Sequence, residues 1–182
     1  MPPEHIPEPW NSFLSGLDAC LQEEVELHCL GGFVLTVVYG LARPTADVDV
    51  VLVAPRGESE RLLRLAGKGS ALHRKHGVYL DLVTVTTLPE DYDQRLKEIF
   101  PDVFERLHMF ALDPYDLALA KLERNIQRDR DDIKYLAQQT PFELEVLRQR
   151  YERELRPYLG NPEREDLTLR LWLEAIEEER DR

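Results

Sequence analysis

Cysteine and long hydrophobic runs are both scarce in this sequence. Cys20 and Cys29 are its only cysteines, and they lie on different predicted elements without the spacing of a metal site. We therefore predict two reduced, buried thiols with no chemical role. No apolar run approaches the roughly 18 residues that span a bilayer, and the opening MPPEHIPEPW lacks the basic and apolar segments of a signal peptide. We expect a cytoplasmic protein that does not contact a membrane.

Positive charge is also in deficit. The 23 lysines and arginines are outnumbered by 35 aspartates and glutamates, and the net charge of -12 repels nucleic-acid phosphates on average. Residues 55–77 are the exception, with six basic residues against two acidic ones. This stretch is the candidate contact for a polyanion, although a solvated helix face has the same pattern. Its basic residues are Arg56, Arg61, Arg64, Lys68, Arg74 and Lys75.

The chain has no internal repeat, no low-complexity run and no linker rich in Gly, Ser or Pro. Its 182 residues, 43% hydrophobic and 32% charged, suffice for one folded domain that carries a small helical appendage. The predicted element type changes near Asp113, from mixed strands and helices to helices alone. We predict an α/β core over residues 1–112 and a helical C-terminal part over residues 113–182 packed on it.

Hydrophobic periodicity predicts the elements of both parts. Apolar residues from Trp10 to Leu21 recur at helical spacing, and alternation over 25–29 predicts a strand that leads into Gly31-Gly32 and a helix ending near Ala42. Residues 47–53 are predicted to form a central strand covered on both faces. The remaining patterns predict a helix at 58–76, a strand at 78–86, a helix at 92–99, a strand at 106–112, and helices opening at Asp113 and covering 129–138, 141–159 and 162–182.

Three aspartates interrupt strands that are otherwise apolar. Asp47 and Asp49 project from the same side of their strand because side chains alternate, and Asp81 is the one charged residue in VYLDLVTVT. Neighbouring carboxylates on a low-dielectric sheet repel one another unless a cation joins them. Mg²⁺ prefers oxygen ligands of this kind together with substrate phosphates. Aspartates at frayed strand ends are the alternative, but three on two strands favour a metal site.

Gly31 and Gly32 stand at the turn from a strand into a helix. A diglycine turn lets backbone N–H groups approach a phosphate closely, and the helix N-terminus adds its positive dipole end. The pair alone is a weak signal, since a tight turn has the same sequence. Its position ahead of the aspartate strand favours the phosphate-binding interpretation.

These residues resemble the nucleotidyltransferase superfamily related to DNA polymerase β. That superfamily has a GG or GS turn opening a helix, then Asp-x-Asp on the next strand and a third carboxylate on a later strand. The stretch GGFVLTVVYGLARPTADVDVVLV looks most like the branch of AbiEii-type toxins and their uncharacterised bacterial relatives. Its matching positions are Gly31, Gly32, Gly40, Arg43, Thr45, Asp47 and Asp49, with Asp81 as the third carboxylate.

A second block, DPYDLALAKLERNIQRDRDDIKYLA, resembles the downstream motif of the same branch. The motif's lysine matches Lys121, and its Arg-Asp-x-x-Asp-hydrophobic run matches Arg128 to Ile133, with Asp132 as the second acidic residue. Helix-surface ion pairing, such as Arg128 with Asp132, is the alternative interpretation. The C-terminal part is shorter and more acidic than in many of these relatives.

The resemblance implies a small mixed sheet flanked by helices and a Mg²⁺-dependent transfer of a nucleoside monophosphate from ATP or another NTP. Asp47 and Asp49 would hold Mg²⁺, and Asp81 would complete a second metal site or act as the base. A pair of metals would stabilise the attacking and leaving oxygens. The nucleotide would be bound by Gly31, Gly32, Arg43, Thr45, Lys121 and Asp132, the last of which could instead orient Lys121.

The resemblance also implies the partners, which are an NTP and an acceptor hydroxyl on tRNA or protein. The enzyme would then be the toxin of a toxin–antitoxin module with a cognate antitoxin. An antibiotic-type nucleotidyltransferase is the first alternative, since an acidic surface suits cationic aminoglycosides. A catalytically inactive nucleotide- or partner-binding module is the second, although all three carboxylates are present.

Overall fold

The computed structural model describes residues 5–181 and divides into two compact units. Within the described residues, the first unit comprises 5–84 and Leu96–Leu112. The second unit comprises Val85–Arg95 and 113–181. The chain therefore enters the second unit twice, once briefly and once at Asp113.

The first unit contains a five-stranded mixed sheet, which confirms the predicted α/β class. The strand order is β3-β2-β1-β5-β4, with β1 in the middle. β1 pairs with β2 antiparallel and with β5 parallel, β2 pairs with β3 parallel, and β4 pairs with β5 antiparallel. The strands are β1 (Val25–Leu30), β2 (Asp47–Ala54), β3 (Tyr79–Leu82), β4 (Lys97–Ile99) and β5 (Leu107–Ala111).

Helices of the first unit pack against strands β2 and β3. Along β2, buried and partly exposed side chains alternate over residues 47–50. The helix α1 buries Trp10, Phe13, Leu14 and Leu17, and the ring of Trp10 lies 5.1 Å from that of Phe33. The helices are α1 (Trp10–Asp18), α2 (Gly31–Phe33, continuing as a π-helix over Val34–Val38), α3 (Ser59–Ala66) and α4 (Ala71–His76).

The second unit is helical and has its own hydrophobic core. The core joins residues of all its α-helices, with Trp172 and Tyr151 among the largest side chains and Leu147 fully buried. The helices are α5 (Pro114–Leu119), α6 (Gln127–Gln139), α7 (Leu144–Arg150, continuing as a π-helix over Tyr151–Leu155 and a 3-10 turn over Arg156–Tyr158) and α8 (Pro162–Arg180). Residue 182, included in the predicted last helix, lies outside the described residues.

Hydrogen bonds and ion pairs explain why residues 85–95 belong to the helical unit. Arg95 donates to the fully buried Asp116 at 2.9 Å and to Glu154 at 2.6 Å. Burial raises the pKa of Asp116, an effect that the hydrogen bond from Arg95 opposes. The hydroxyl of Thr86 donates to the carbonyl of Ala120 at 3.1 Å. This segment is thus fastened to α5 and to the π-helix that follows α7.

Several predicted elements are wrong in extent or type. The strand predicted at 78–86 ends at Leu82, and Val85 is 93% exposed. Residues 92–99 form a 3-10 turn (Tyr92–Arg95) and strand β4, not a helix. The strand β2 is buried on one face, because Val48 and Val50 are fully buried while Asp47 and Asp49 keep partial exposure. Cys29 is buried as predicted, whereas Cys20 is exposed.

No helix within residues 5–181 combines the length and the apolar composition that crossing a membrane requires.

Candidate active site

The three predicted aspartates lie on one face of two adjacent strands in the first unit. In the parallel pairing of β2 and β3, Asp47 stands opposite Tyr79 and Asp49 stands opposite Asp81. Directly paired positions project to the same side of a sheet, and neighbouring strands lie about 4.8 Å apart. Asp47 and Asp49 are half-buried and Asp81 is exposed. The carboxylates therefore form a row that solvent can reach.

Gly31 lies against the carboxylate of Asp49. Leu30, the last residue of β1, pairs with Asp49, so the chain passes over this carboxylate as it leaves the sheet. A Cβ on Gly31 would lie 1.9 Å from Oδ2 of Asp49, far inside van der Waals contact. Gly31 also has a φ of 71°, which disfavours residues with a side chain. Both the backbone conformation and the close approach therefore require glycine here.

The segment between α2 and β2 carries two more of the predicted residues. The hydroxyl of Thr45 donates to Oδ1 of Asp47 at 2.7 Å, which fixes the orientation of that carboxylate. The hydroxyl of Thr36 donates to the carbonyl of Arg43 at 3.1 Å, so the segment is tied to the π-helical part of α2. Gly32 is buried in the first turn of the same helix. Gly31, Gly32, Arg43 and Thr45 thus all adjoin the strand that carries Asp47 and Asp49.

Tyr79 is a member of the aspartate face that the sequence analysis did not single out. Burial raises the pKa of its phenol, and the negative charges of Asp47, Asp81 and Asp49 raise it further. The side chain is also contacted by two basic residues: Lys68 lies 5.6 Å from the ring centroid, and the His73 ring meets it edge-on at 5.0 Å. Its place opposite Asp47 depends on strand register, which periodicity alone does not supply.

Lys121 and Asp132 belong to the second unit, where they form an ion pair with each other. The ammonium of Lys121 lies 2.9 Å from Asp132 and 3.3 Å from Asp129, and all three side chains are buried. Burial would raise the pKa of Asp129, but hydrogen bonds from Arg124 and the charge of Lys121 lower it. Asp132 therefore orients Lys121. Lys121 is thus one partner of Asp132.

The aspartate face suits Mg²⁺ by its donor chemistry. Within residues 5–181, no group of three or more His, Cys, Asp and Glu side chains is arranged to hold a metal ion. Mg²⁺, however, is usually bound by one or two carboxylates, with water and substrate phosphates completing its shell. Asp47 and Asp49 on one face of β2 supply two such carboxylates, and the glycine at position 31 lets the Asp49 carboxylate lie against the backbone.

Comparison with known proteins gives one family. Residues 18–180 match the model of the family described as "Nucleotidyltransferase of unknown function (DUF6036)". No curated protein and no solved structure matches the chain. The matched range includes the aspartate face, the diglycine turn and the Lys121–Asp132 pair.

Proposed function

We propose a reaction for this chain from the premise that it belongs to this nucleotidyltransferase family, whose model spans residues 18–180. The chain transfers a nucleoside monophosphate from an NTP, such as ATP, to an acceptor hydroxyl. The observation that carries the proposal is the row of Asp47, Asp49 and Asp81 against Gly31. A phosphate-binding turn beside paired carboxylates is the arrangement that this chemistry requires.

In the proposal, two carboxylates of the row hold the metal ion and the third acts as the base. Asp47, oriented by Thr45, and Asp49 hold Mg²⁺, which supplies charge neutralisation for the reacting phosphates when bound. The backbone at Gly31 and Gly32 approaches the triphosphate. Asp81 takes the proton of the acceptor hydroxyl. The oxygen of that hydroxyl bonds to the α-phosphorus, and pyrophosphate leaves. Asp81 suits this role because it is the most exposed of the three carboxylates.

Basic side chains beside the aspartate face support a polyanionic acceptor. Lys68 contacts the ring of Tyr79, and His73 contacts the same ring from its edge. Arg74 donates to the carbonyl of Gly69 at 2.5 Å, and Gly69 is the residue that follows Lys68. Cations interleaved with an aromatic ring are typical of surfaces that bind single-stranded nucleic acid. Lys68 and His73 of the basic stretch thus contact Tyr79, which stands opposite Asp47 on the aspartate face. For this reason we favour tRNA over protein as the acceptor.

The resemblance to AbiEii-type toxins motivates the biological part of the proposal. Modifying tRNA would arrest translation, so the chain would act in the cytoplasm as the toxin of a two-gene module. A cognate antitoxin protein would then restrain it. Arg43 of the first unit would neutralise the triphosphate, and a role for Lys121 in nucleotide binding stays a prediction from the resemblance.

The proposal is tested by incubating the protein with labelled NTPs and Mg²⁺ in three parallel reactions, containing total tRNA, proteins of a cell lysate or aminoglycosides. We expect label on tRNA, and no label with Asp49→Asn, which loses one charge without changing size. Asp102→Asn is the matched control, because Asp102 is exposed and has a φ of 62° that asparagine also tolerates.

Label on aminoglycosides would instead identify the antibiotic-type reaction. Label on proteins would show that the acceptor is protein and not tRNA. Absence of label on all three, together with no Mg²⁺-dependent NTP binding, would leave the non-catalytic binding module as the correct description.

A further inference from the structure

The second unit contains a cavity that the proposed reaction does not use. It lies between α6 and α8 and has a volume of about 370 Å³, at the small end of the range for ligand pockets. Ile133 and Ile176 form part of its apolar wall together with Trp172, and all three are at least 94% buried. Leu171, also lining the cavity, is 52% exposed. The cavity is therefore open to solvent on one side, and its lining combines an apolar wall with polar and charged side chains.

Asn125 holds one end of the cavity in a fixed form. Its φ of 43° is uncommon for a residue with a side chain. Its side-chain oxygen accepts from the indole N–H of Trp172 at 3.0 Å and from Nε of Arg130 at 3.2 Å. Its amide donates to Thr168 at 3.4 Å. One residue thus connects α6 with α8, so the cavity has defined walls before a ligand enters.

The charged residues that line the cavity are cations. Lys134 is neutralised by Glu179 at 2.6 Å. Arg130 donates to the side-chain oxygen and to the backbone carbonyl of Asn125, each at 3.2 Å, and both acceptors are neutral. No carboxylate is among the lining residues within the described chain. In a protein of net charge -12, a cavity with an arginine and no lining carboxylate favours an anion.

We propose that this cavity binds a small organic anion with a compact apolar body. The body packs against the apolar wall to which Ile133, Trp172 and Ile176 belong, and a carboxylate or phosphate group pairs with the guanidinium of Arg130. Arginine offers several N–H donors in a planar fork, so Arg130 can keep its hydrogen bonds to Asn125 and still bind an anion. The site belongs to the second unit alone, and its ligand is separate from the NTP and the acceptor.

Three probes separate the two parts of the predicted ligand. 2-Naphthoate has both the charge and the apolar body, 2-naphthamide lacks the charge, and acetate lacks the body. The measurement is the indole N–H resonance of Trp172 in an NMR titration of the ¹⁵N-labelled full chain. Trp10 is an internal reference, because it is buried against Phe33 in the first unit. We expect naphthoate to shift the Trp172 signal saturably, with naphthamide and acetate at least about tenfold weaker.

Variants assign the charge to one residue. Arg130→Met is expected to weaken naphthoate binding about tenfold or more, and Arg130→Lys to recover part of it. Arg170→Met is the matched control, because Arg170 is an exposed arginine of α8 that does not line the cavity, and it should bind naphthoate as the wild type does. Equal binding of naphthoate and naphthamide, equal shifts of both indoles, or unchanged affinity in a folded Arg130→Met variant would overturn the proposal. If Arg130→Met does not fold, the comparison of the three probes on the wild type decides.

Discussion

At the scale of single residues, the account depends on the contact between Gly31 and Asp49. Two independent demands meet at this glycine, a positive φ and a carboxylate that lies where a Cβ would stand. The consequence is that the cost of adding a methyl group has two components. One is backbone strain, and the other is displacement of the Asp49 side chain, which changes the candidate metal site.

Gly31→Ala separates these components from each other. We expect the variant to lose about 2–4 kcal/mol of unfolding free energy in urea titrations, through backbone strain and the clash together. Gly77→Ala is the matched control, since Gly77 has a φ of 75°, close to that of Gly31, but open space around its Cβ position. It should lose only about 1 kcal/mol. Asp49→Ala added to Gly31→Ala should recover part of the loss. Equal losses for the two single alanine variants would show that the close approach has no energetic weight.

At the scale of elements, the start of α6 depends on the buried carboxylate of Asp129. It accepts from Arg124 at 2.9 Å and 2.5 Å, from Lys121 at 3.3 Å and from the backbone N–H of Ile126 at 3.2 Å. These contacts lower the pKa of Asp129 in the folded protein despite its burial. Its stabilisation is therefore fully present above the unfolded pKa, near 3.9, and is lost as the pH falls through the folded value.

Asp129→Asn should remove this pH-dependent stabilisation. We expect a loss of about 3 kcal/mol near neutral pH, because the buried Lys121 loses one of its two carboxylate partners and the exposed Arg124 loses its own. The loss should begin to shrink below about pH 4, where the unfolded chain takes up the proton, and shrink further once the folded carboxylate, with its lowered pKa, is protonated too. The measurement is the free energy of unfolding across this pH range. Asp131→Asn is the control on the same helix, and this exposed residue should change stability by less than about 0.5 kcal/mol. A constant difference between wild type and Asp129→Asn at every pH would contradict the account.

The elements also show what periodicity can and cannot predict. The alternation of Val48 and Val50 with Asp47 and Asp49 correctly predicts a strand with both aspartates on one face, although the expectation that both faces are covered is wrong. Gly31 correctly marks the start of a helix. The apolar residues Val83 and Val85 extend the same alternation, but the chain leaves the sheet after Leu82. Alternation records side-chain polarity, whereas strand length depends on a pairing partner, which is not a property of the segment.

The helix predicted over residues 92–99 is wrong for a related reason. Arg95 is attached to the second unit through Asp116 and Glu154, while Lys97–Ile99 pairs with β5 in the first. A segment divided between two units cannot continue as one helix. Tyr79 and Asp81 illustrate the limit for the site, because their places opposite Asp47 and Asp49 follow from a parallel register between strands separated by two helices.

At the scale of the whole molecule, the distribution of charge matters more than the total. The chain has a net charge of -12, yet Lys68 and Arg74 are exposed cations of the first unit, and Lys68 lies 5.6 Å from the centroid of the Tyr79 ring. A nucleic-acid acceptor would therefore meet general repulsion and local attraction. Salt weakens both, and the local contribution can be isolated only by comparing variants of equal charge.

The double variant Lys68→Gln/Arg74→Gln should raise the KM for tRNA and reduce the magnitude of the salt dependence of log KM by about two, one for each lost phosphate contact. NTP binding should be unchanged. Arg148→Gln/Arg170→Gln has the same net charge and alters exposed arginines of α7 and α8, so it serves as the control. Steady-state kinetics over a series of salt concentrations give both quantities. An equal effect of the two double variants would assign the salt dependence to net charge alone.

The central claim is nucleotidyl transfer by the aspartate face, and the position of the transferred phosphorus tests it most directly. Wild-type protein is incubated with total tRNA, Mg²⁺ and either α-labelled or γ-labelled NTP, and the label that becomes covalently attached is counted. The account predicts attachment from the α-labelled nucleotide alone, release of pyrophosphate, and loss of both with Asp49→Asn but not Asp102→Asn. Attachment from the γ-labelled nucleotide, or undiminished transfer by a folded Asp49→Asn variant, would contradict it.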